Sequence, residues 1–252
     1  MRILSIDSSL GTQVAVVDAA PSAAGARALQ VLSQDEQADT RRHAESLGQM
    51  LSQALSAPEA AEHPLDAVVA ATGPAPFTGL RAGLVTAGVV GRTRGIPVHG
   101  VSSLDAVARR ALDELGSHEG QTGPVVLVAT DARRREVYTA LFRANGPDDV
   151  TRLTEIIVCP PAQVAQRLAE QAPGPGGGSG GIDVVAGSGA SLYPELAEMA
   201  SYQKALAPVS GDALAQVRIA LARLERGEEL STQPLYLRHA DVQMPAARKR
   251  VR

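Results

Sequence analysis

Apolar positions fall in short blocks along the chain, and their spacing changes from period two to period three or four. The stretch RILSIDSSLGTQVAVVDA contains two β-rich runs around a turn at Ser8 to Gly11, which predicts a hairpin at the N-terminus. A third strand is predicted near ALQVLSQDE. Thr40 has the chemistry of an N-cap. The residues after it, RRHAESLGQMLSQALS, put His43, Leu47, Met50 or Leu51, and Ala54 on one face at helical spacing. DAVVAAT then reads as a buried strand, and PVHGVS as a short strand with Ser103 opening a further helix.

Between those two strands lies ATGPAPFTGLRAGLVTAGVVGR, a glycine-rich loop running into a helix. It lacks what a Walker-type phosphate loop needs. Pro74 and Pro76 each remove an amide donor, and Gly79 is followed by Leu80 and Arg81 instead of lysine and a hydroxyl. From Leu80 to Gly91 only Arg81 and Thr86 are strongly polar, so the helix is apolar nearly all round. Such a helix is either central to a core or awaits a partner.

The second half repeats the opening. PVVLVATDA and EVYTALFRA form strands around a turn at Asp131 to Arg135. Pro161 suits the first turn of a helix over AQVAQRLAEQA. IDVVAGSG reads as a strand, and a helix from Ser210 carries Ala213, Leu214, Val217, Leu221 and Leu224 on one stripe. Residues 173–181, PGPGGGSGG, have linker composition, and the charged, apolar-poor tail 239–252 is expected to be disordered. The pattern is α/β with two similar lobes: an N-terminal lobe over 1–103, a C-terminal lobe over 104–238 whose last helix, about 210–226, can pack back on the first, and the basic tail.

Composition narrows the chemistry. At 252 residues the chain is long enough for a sizeable core without staples. A net charge of −3, 2% aromatic residues and one cysteine exclude a disulfide framework and a dominant basic surface. Asp7 interrupts the start before an apolar leader core develops, and no run reaches the roughly 18 apolar residues of a membrane span, so a cytoplasmic protein is expected. The histidines His43, His63, His99, His118 and His239 are scattered, with no pair one helical turn apart, so neither a metal site nor catalytic residues are expected.

Two lobes that each begin with a hairpin have the form of the actin and hexokinase fold, where the hairpin turns offer phosphates a backbone and a later glycine pair flanks the adenosine. Asp7 and Ser8 fit the first turn loosely, and Asp131 fits the second badly. Arg133, Arg134 and Arg135 stand where small residues would let the backbone approach a phosphate. Gly187 and Gly189 resemble the adenosine element. These five, Asp7, Ser8, Asp131, Gly187 and Gly189, are degenerate nucleotide-site candidates, and a retained hairpin with a structural role is the stronger expectation. Asp7 itself is read equally as a turn cap or a relic of cation binding. The arginine triplet and Arg248, Lys249, Arg250 and Arg252 of the tail could touch phosphates, with a solvated or salt-bridged role the stronger expectation.

ILSIDSS, GPAPFTGLRAGLVTAGVV, GVSSLDAVA, DARRREVYTALF, AGSGASLYPEL and PLYLR, in this order, closely resemble the TsaB (YeaZ) family. Ala75 and Pro76 depart from the family's usual Gly-Ser. The resemblance implies the two-lobed actin-like ATPase (ASKHA, ribonuclease H-like) fold and paralogy to TsaD, a family catalogued with peptidases. It implies a non-catalytic partner subunit that works with TsaD and the ATPase TsaE to form N6-threonylcarbamoyladenosine beside the anticodon of tRNA, that homodimerises when alone, and that meets tRNA through the complex. No cofactor is expected to be tightly bound, with ATP or ADP held, if at all, in the assembled complex. The alternative is an actin-like ATP-dependent small-molecule kinase. The resemblance also implies an interface on the two helices over Thr40 to Leu55 and Leu80 to Arg92, with His43, Leu47, Met50, Leu51, Phe77, Thr78, Leu80, Arg81, Gly83, Leu84, Ala87 and Gly91 as its residues. On this reading the small-residue row Gly83, Ala87, Gly91 faces the partner, Thr78 caps the helix, and Arg81 anchors the loop or the partner edge.

Overall fold

A computed structural model describes residues 1–20, 25–38, 43–116, 123–171, 181–201, 205–206 and 212–237; of 43–45 and 205–206 only the backbone is described. The hairpin is β1 (Arg2–Asp7) and β2 (Thr12–Ala19), antiparallel in register Asp7 to Gln13, followed by β3 (Leu29–Gln37) on the far side of β2. Gly11 closes the turn at φ 76°, and a Cβ there would stand 2.6 Å from the Gln37 carbonyl oxygen, so both the backbone and the space require glycine. After α1 (His43–Ser56) and the short α2 (Pro58–Ala61), β4 (Ala67–Ala71) pairs parallel with β1. α3 (Phe77–Arg94) then crosses over to β5 (Val98–Val101), completing a five-stranded sheet in the order β3-β2-β1-β4-β5.

Alternation along the strands decides what covers each face. Leu4, Ile6, Val14, Val16, Val68 and Ala70 point to α1 and α3, where they meet Leu47, Met50, Ala54, Ala87 and Val90. Ile3, Ala15, Val17 and Val69 point the other way.

α4 (Ser103–Leu115) leads into the second lobe, where β6 (Val126–Asp131) and β7 (Val137–Asn145) repeat the antiparallel hairpin. β8 (Asp149–Arg152) and β9 (Ile157–Cys159) pair with β7. A 3-10 turn at Pro161–Gln163 opens α5 (Val164–Gln171), and β10 (Val184–Ala186) pairs parallel with β6. The chain breaks from β10 at Gly187 into α6 (Ser188–Leu192) and α7 (Pro194–Ala197), so the strand read over IDVVAGSG ends three residues early. β11 (Ala205–Leu206) completes a six-stranded sheet with the path β11-β10-β6-β7-β8, β9 joining at β7. α4 covers one face of this sheet, and α5 to α7 cover the other.

α8 (Ala213–Glu225) returns to the first sheet, burying Ala213, Val217, Ile219, Ala220 and Leu221 against Ile3, Val17 and Val101. The helix starts after Asp212, not at Ser210: the Asp212 carboxylate accepts from the Leu214 and Ala215 amides, each at 2.9 Å, while residues 207–211 lie outside the described residues. Most of the 173–181 segment and all of 239–252 also lie outside them.

Ion pairs clamp the lobes together around α8. The Arg27 amide, before β3, donates to both oxygens of Asp148 at the β7–β8 turn. Arg218 of α8 bridges Asp148 and Asp113 of α4, and Arg223 bridges Asp149 and Asp105. Asp105, Asp148 and Asp149 are buried. Three carboxylates and the guanidiniums that neutralise them thus tie both lobes to one helix.

Candidate docking face and cleft

The C-terminal ends of β1, β6 and β10 carry the residues expected to touch a nucleotide. Asp7 is buried, and both its oxygens are occupied: Oδ1 accepts from the Ser9 amide at 2.8 Å and the Ser9 hydroxyl at 2.6 Å, and Oδ2 accepts from the Gln216 side-chain amide at 2.6 Å. Burial pushes its carboxyl above the ordinary carboxylate range, opposed by the hydrogen bonds from Ser9 and assisted by the nearby Asp212 charge. Asp7 therefore caps the hairpin turn, and Gln216, on α8, ties that turn to the other lobe's helix. Ser8 is consumed as well: its hydroxyl donates to the Gly79 carbonyl at 2.7 Å and accepts from the Gly83 amide at 3.1 Å. It fastens the hairpin to α3 and leaves no hydroxyl for a phosphate.

Asp131, Gly187 and Gly189 come together at the second turn. The Asp131 amide donates to the Ser188 hydroxyl at 2.9 Å, and a Cβ on Gly187 or Gly189 would stand 2.5 or 2.8 Å from the Ala129 carbonyl oxygen. These glycines are needed for α6 to lie on β6. The Asp131 carboxylate accepts from the Arg133 amide and pairs with its guanidinium at 3.2 Å. Among the described residues no group of three His, Cys, Asp or Glu could hold a metal. Burial lowers the half-buried His99 imidazole and raises the Cys159 thiol.

The loop before α3 turns at Gly73, φ 84°, where a Cβ would stand 2.8 Å from the Leu80 side chain. Thr78 does not cap the helix. Pro76 holds the N-cap position, without a side-chain bond, and Thr78 lies exposed one residue inside the first turn.

The small-residue row is placed opposite to expectation. Gly83, Ala87 and Gly91 are buried on the chain's own sheet: a Cβ on Gly83 would meet Ser8 Oγ at 2.2 Å, one on Gly91 would meet the Val98 side chain at 2.3 Å, and Ala87 is wholly buried among Leu4, Val68 and Val90. The reason is the crossover. A helix linking two parallel neighbours must lie flat on them, and the glycines let its axis approach. Leu80, Leu47 and Met50 are buried in this lobe too, with Leu51 and Leu84 half-buried at the edge. His43 opens α1, but its side chain lies outside the described residues.

What α3 offers outward is Phe77, Arg81, Val85, Gly88, Val89 and Arg92, with Val85 65% and Val89 56% exposed. At its head the Arg81 guanidinium stacks 3.6 Å over the Phe77 ring and donates from Nε to the Tyr236 hydroxyl at 2.8 Å. Tyr236 belongs to an extended C-terminal segment bonded to the first sheet through Gly100 to Leu230 and Leu235 to Thr72. Sequence reasoning missed Val85, Val89 and Gln216 and gave Tyr236 no role. The i, i+4 spacing of Arg81, Val85 and Val89 was the available signal for the outer stripe.

Two hairpin-led lobes joined by α4 and α8, with the hairpin turns satisfied internally and an apolar stripe outside, have an actin-like, ribonuclease H-like fold. A family model described as TsaD, tRNA N6-adenosine threonylcarbamoyltransferase, matches residues 30–175. That is more than half the chain, and the chain belongs to this family. It is 46% identical over 123 residues to an uncharacterised protein of Mycobacterium tuberculosis, the match covering 47% of this chain and 53% of that protein. An uncharacterised protein of Mycobacterium leprae is 41% identical over 140 residues, which cover 56% of this chain and 36% of the relative. The chain spans about half the length, or less, of the curated relatives it matches. In fold it superposes on YeaZ from Pseudomonas aeruginosa with a TM-score of 0.70 at 23% identity, covering 93% of this chain and 100% of that one. An uncharacterised P. aeruginosa protein with similarity to peptidase YeaZ gives 0.69 at 24%, covering 94% and 99%. The resemblance read from the motifs is thus borne out in family and fold.

Proposed function

We propose that the chain is a TsaB-like, non-catalytic partner subunit in the formation of N6-threonylcarbamoyladenosine on tRNA, docking on TsaD and acting with TsaE. The observation that carries this reading is the exposed apolar stripe Val85 and Val89 on α3, beside the half-buried Leu84 and Leu51. An exposed apolar stripe rimmed by Arg81 and Arg92 suits a protein partner. The consumed Asp7 and Ser8 argue against the kinase alternative, because a kinase turn must give its donors and its cation-binding carboxylate to the nucleotide. On this reading the chain binds no cofactor of its own, ATP or ADP enters only with the assembled complex, and the same stripe pairs two copies when TsaD is missing. The working compartment is the cytoplasm. Among the described residues, no helix is long and apolar enough to cross a membrane.

Reconstitution tests the proposal. Adenosine modification of an unmodified tRNA is measured with all subunits and with each omitted. Modification should require both this chain and TsaD. Robust modification by this chain without TsaD would overturn the non-catalytic role, and full modification without this chain would overturn the partnership.

A further inference from the structure

We propose that the β6–β7 turn, through the side chains of Arg133, Arg134 and Arg135, binds the phosphodiester backbone of RNA. All three residues adopt positive φ, at 63°, 55° and 60°, and among the described residues they are the non-glycine positions that do so. Left-handed backbone costs an L-residue about 1–2 kcal/mol, and side chains that accept such strain in one short turn cluster at functional sites. The three side chains are exposed.

Four of the turn's amides already have acceptors within the chain. The Asp131 amide donates to Ser188, the Ala132 amide to the Glu136 carbonyl, the Arg133 amide to Asp131 and the Glu136 amide to the Arg133 carbonyl. The Arg133 guanidinium pairs with the Asp131 carboxylate at 3.2 Å, so the turn's outward charge is carried mainly by the exposed Arg134 and Arg135. What the turn presents is guanidinium side chains, planar forks suited to phosphate oxygens. Several such heads on separate stems match phosphates strung along a strand better than a single polyphosphate held in a cradle. Phosphodiester binding of this kind gives affinity and position without sequence reading. The assignment of RNA as the source rests on the tRNA-modification reading above.

The test uses the full chain, alone and assembled with TsaD, and the double variant Arg134→Gly, Arg135→Gly. Glycine tolerates positive φ, so the variant should fold at least as stably, as circular dichroism and urea denaturation will report. The probes are a labelled unmodified tRNA, titrated across a range of salt, and ATP. Weaker tRNA binding is expected, with the slope of log K against log salt reduced by roughly 0.7–0.9 for each phosphate no longer neutralised. Arg134→Lys, Arg135→Lys should keep most of that slope. Unchanged tRNA affinity and slope in both settings would overturn the proposal, and so would a loss of ATP binding with tRNA binding intact. A wild-type chain that binds tRNA through this turn yet supports no modification with TsaD and TsaE would support this RNA site while removing the functional reading.

Discussion

Ser8 and Gly83 are locked in an approach that leaves no room for a side chain: the Ser8 hydroxyl accepts from the Gly83 amide at 3.1 Å, and a Cβ on Gly83 would stand 2.2 Å from the same oxygen. Because that hydroxyl also donates to the Gly79 carbonyl, it cannot swing away without leaving buried groups unpaired. Gly83→Ala should therefore destabilise the chain, by about 1–2 kcal/mol after the roughly 1 kcal/mol helix gain of alanine is set against overpacking. Gly83→Arg should fail to fold. Adding Ser8→Gly to Gly83→Ala should restore part of the loss in urea denaturation; no restoration would show that the clash with Ser8 is not the cause.

That relationship shows where sequence pattern reached and where it stopped. The hairpin over Arg2 to Ala19, the buried strand Ala67–Ala71 and the crossover helix were legible because period two and apolar runs report burial directly. The direction of the Gly83, Ala87, Gly91 row was not. A helix apolar on all sides carries no moment to say which face meets its own sheet, and small residues permit close approach to a strand as readily as to a partner helix. Gln216 and the Arg27 to Asp148 tie were illegible for a different reason: each joins positions far apart in the chain, and no local pattern marks them. The short β8, β9, α6 and α7 lack the length for periodicity to show.

The clamp between the lobes gives a second prediction. Asp149 is about 1% exposed and neutralises Arg223 and Arg226, while Asp113, a third exposed, pairs with Arg218 and Arg109 nearer solvent. Removing one partner of a buried pair strands the other charge, so Asp149→Ala should cost about 3 kcal/mol, the lower end of the usual range because Asp105 still holds Arg223. Asp113→Ala should cost about 1 kcal/mol or less. Equal losses in thermal unfolding would mean that burial is not what gives the clamp its strength.

Asp7 predicts a pH dependence. Burial raises its carboxyl above the unfolded value, so the folded state favours the protonated form. Its contribution is greatest below the unfolded pKa of about 4 and is lost as pH rises from there through the folded value. Asp7→Asn removes this dependence. The variant's stability relative to wild type should rise over that interval and stay level above it, as parallel urea titrations at several pH values would show. A difference that falls with rising pH would mean that the hydrogen bonds from Ser9 and Gln216 outweigh burial.

The outer stripe of α3 carries the last prediction, and it replaces the glycine row as the place to break the partnership. Val85 and Val89 are 65% and 56% exposed and lie outside the buried cluster on the inner face, so charging them should leave the fold alone. If they sit at the centre of the TsaD interface, Val85→Glu with Val89→Glu buries unpaired carboxylates there, and a loss of 2 kcal/mol or more is typical of central positions, roughly thirtyfold in affinity. Arg92→Ala, at the rim, should change affinity little and its salt dependence more. Sedimentation with TsaD, alongside circular dichroism of the free variants, separates these outcomes. A double glutamate variant that stays folded and still binds TsaD at wild-type affinity would move the docking face off α3, because no inward residue of that helix can reach a partner without leaving the sheet on which Gly83 and Gly91 are packed.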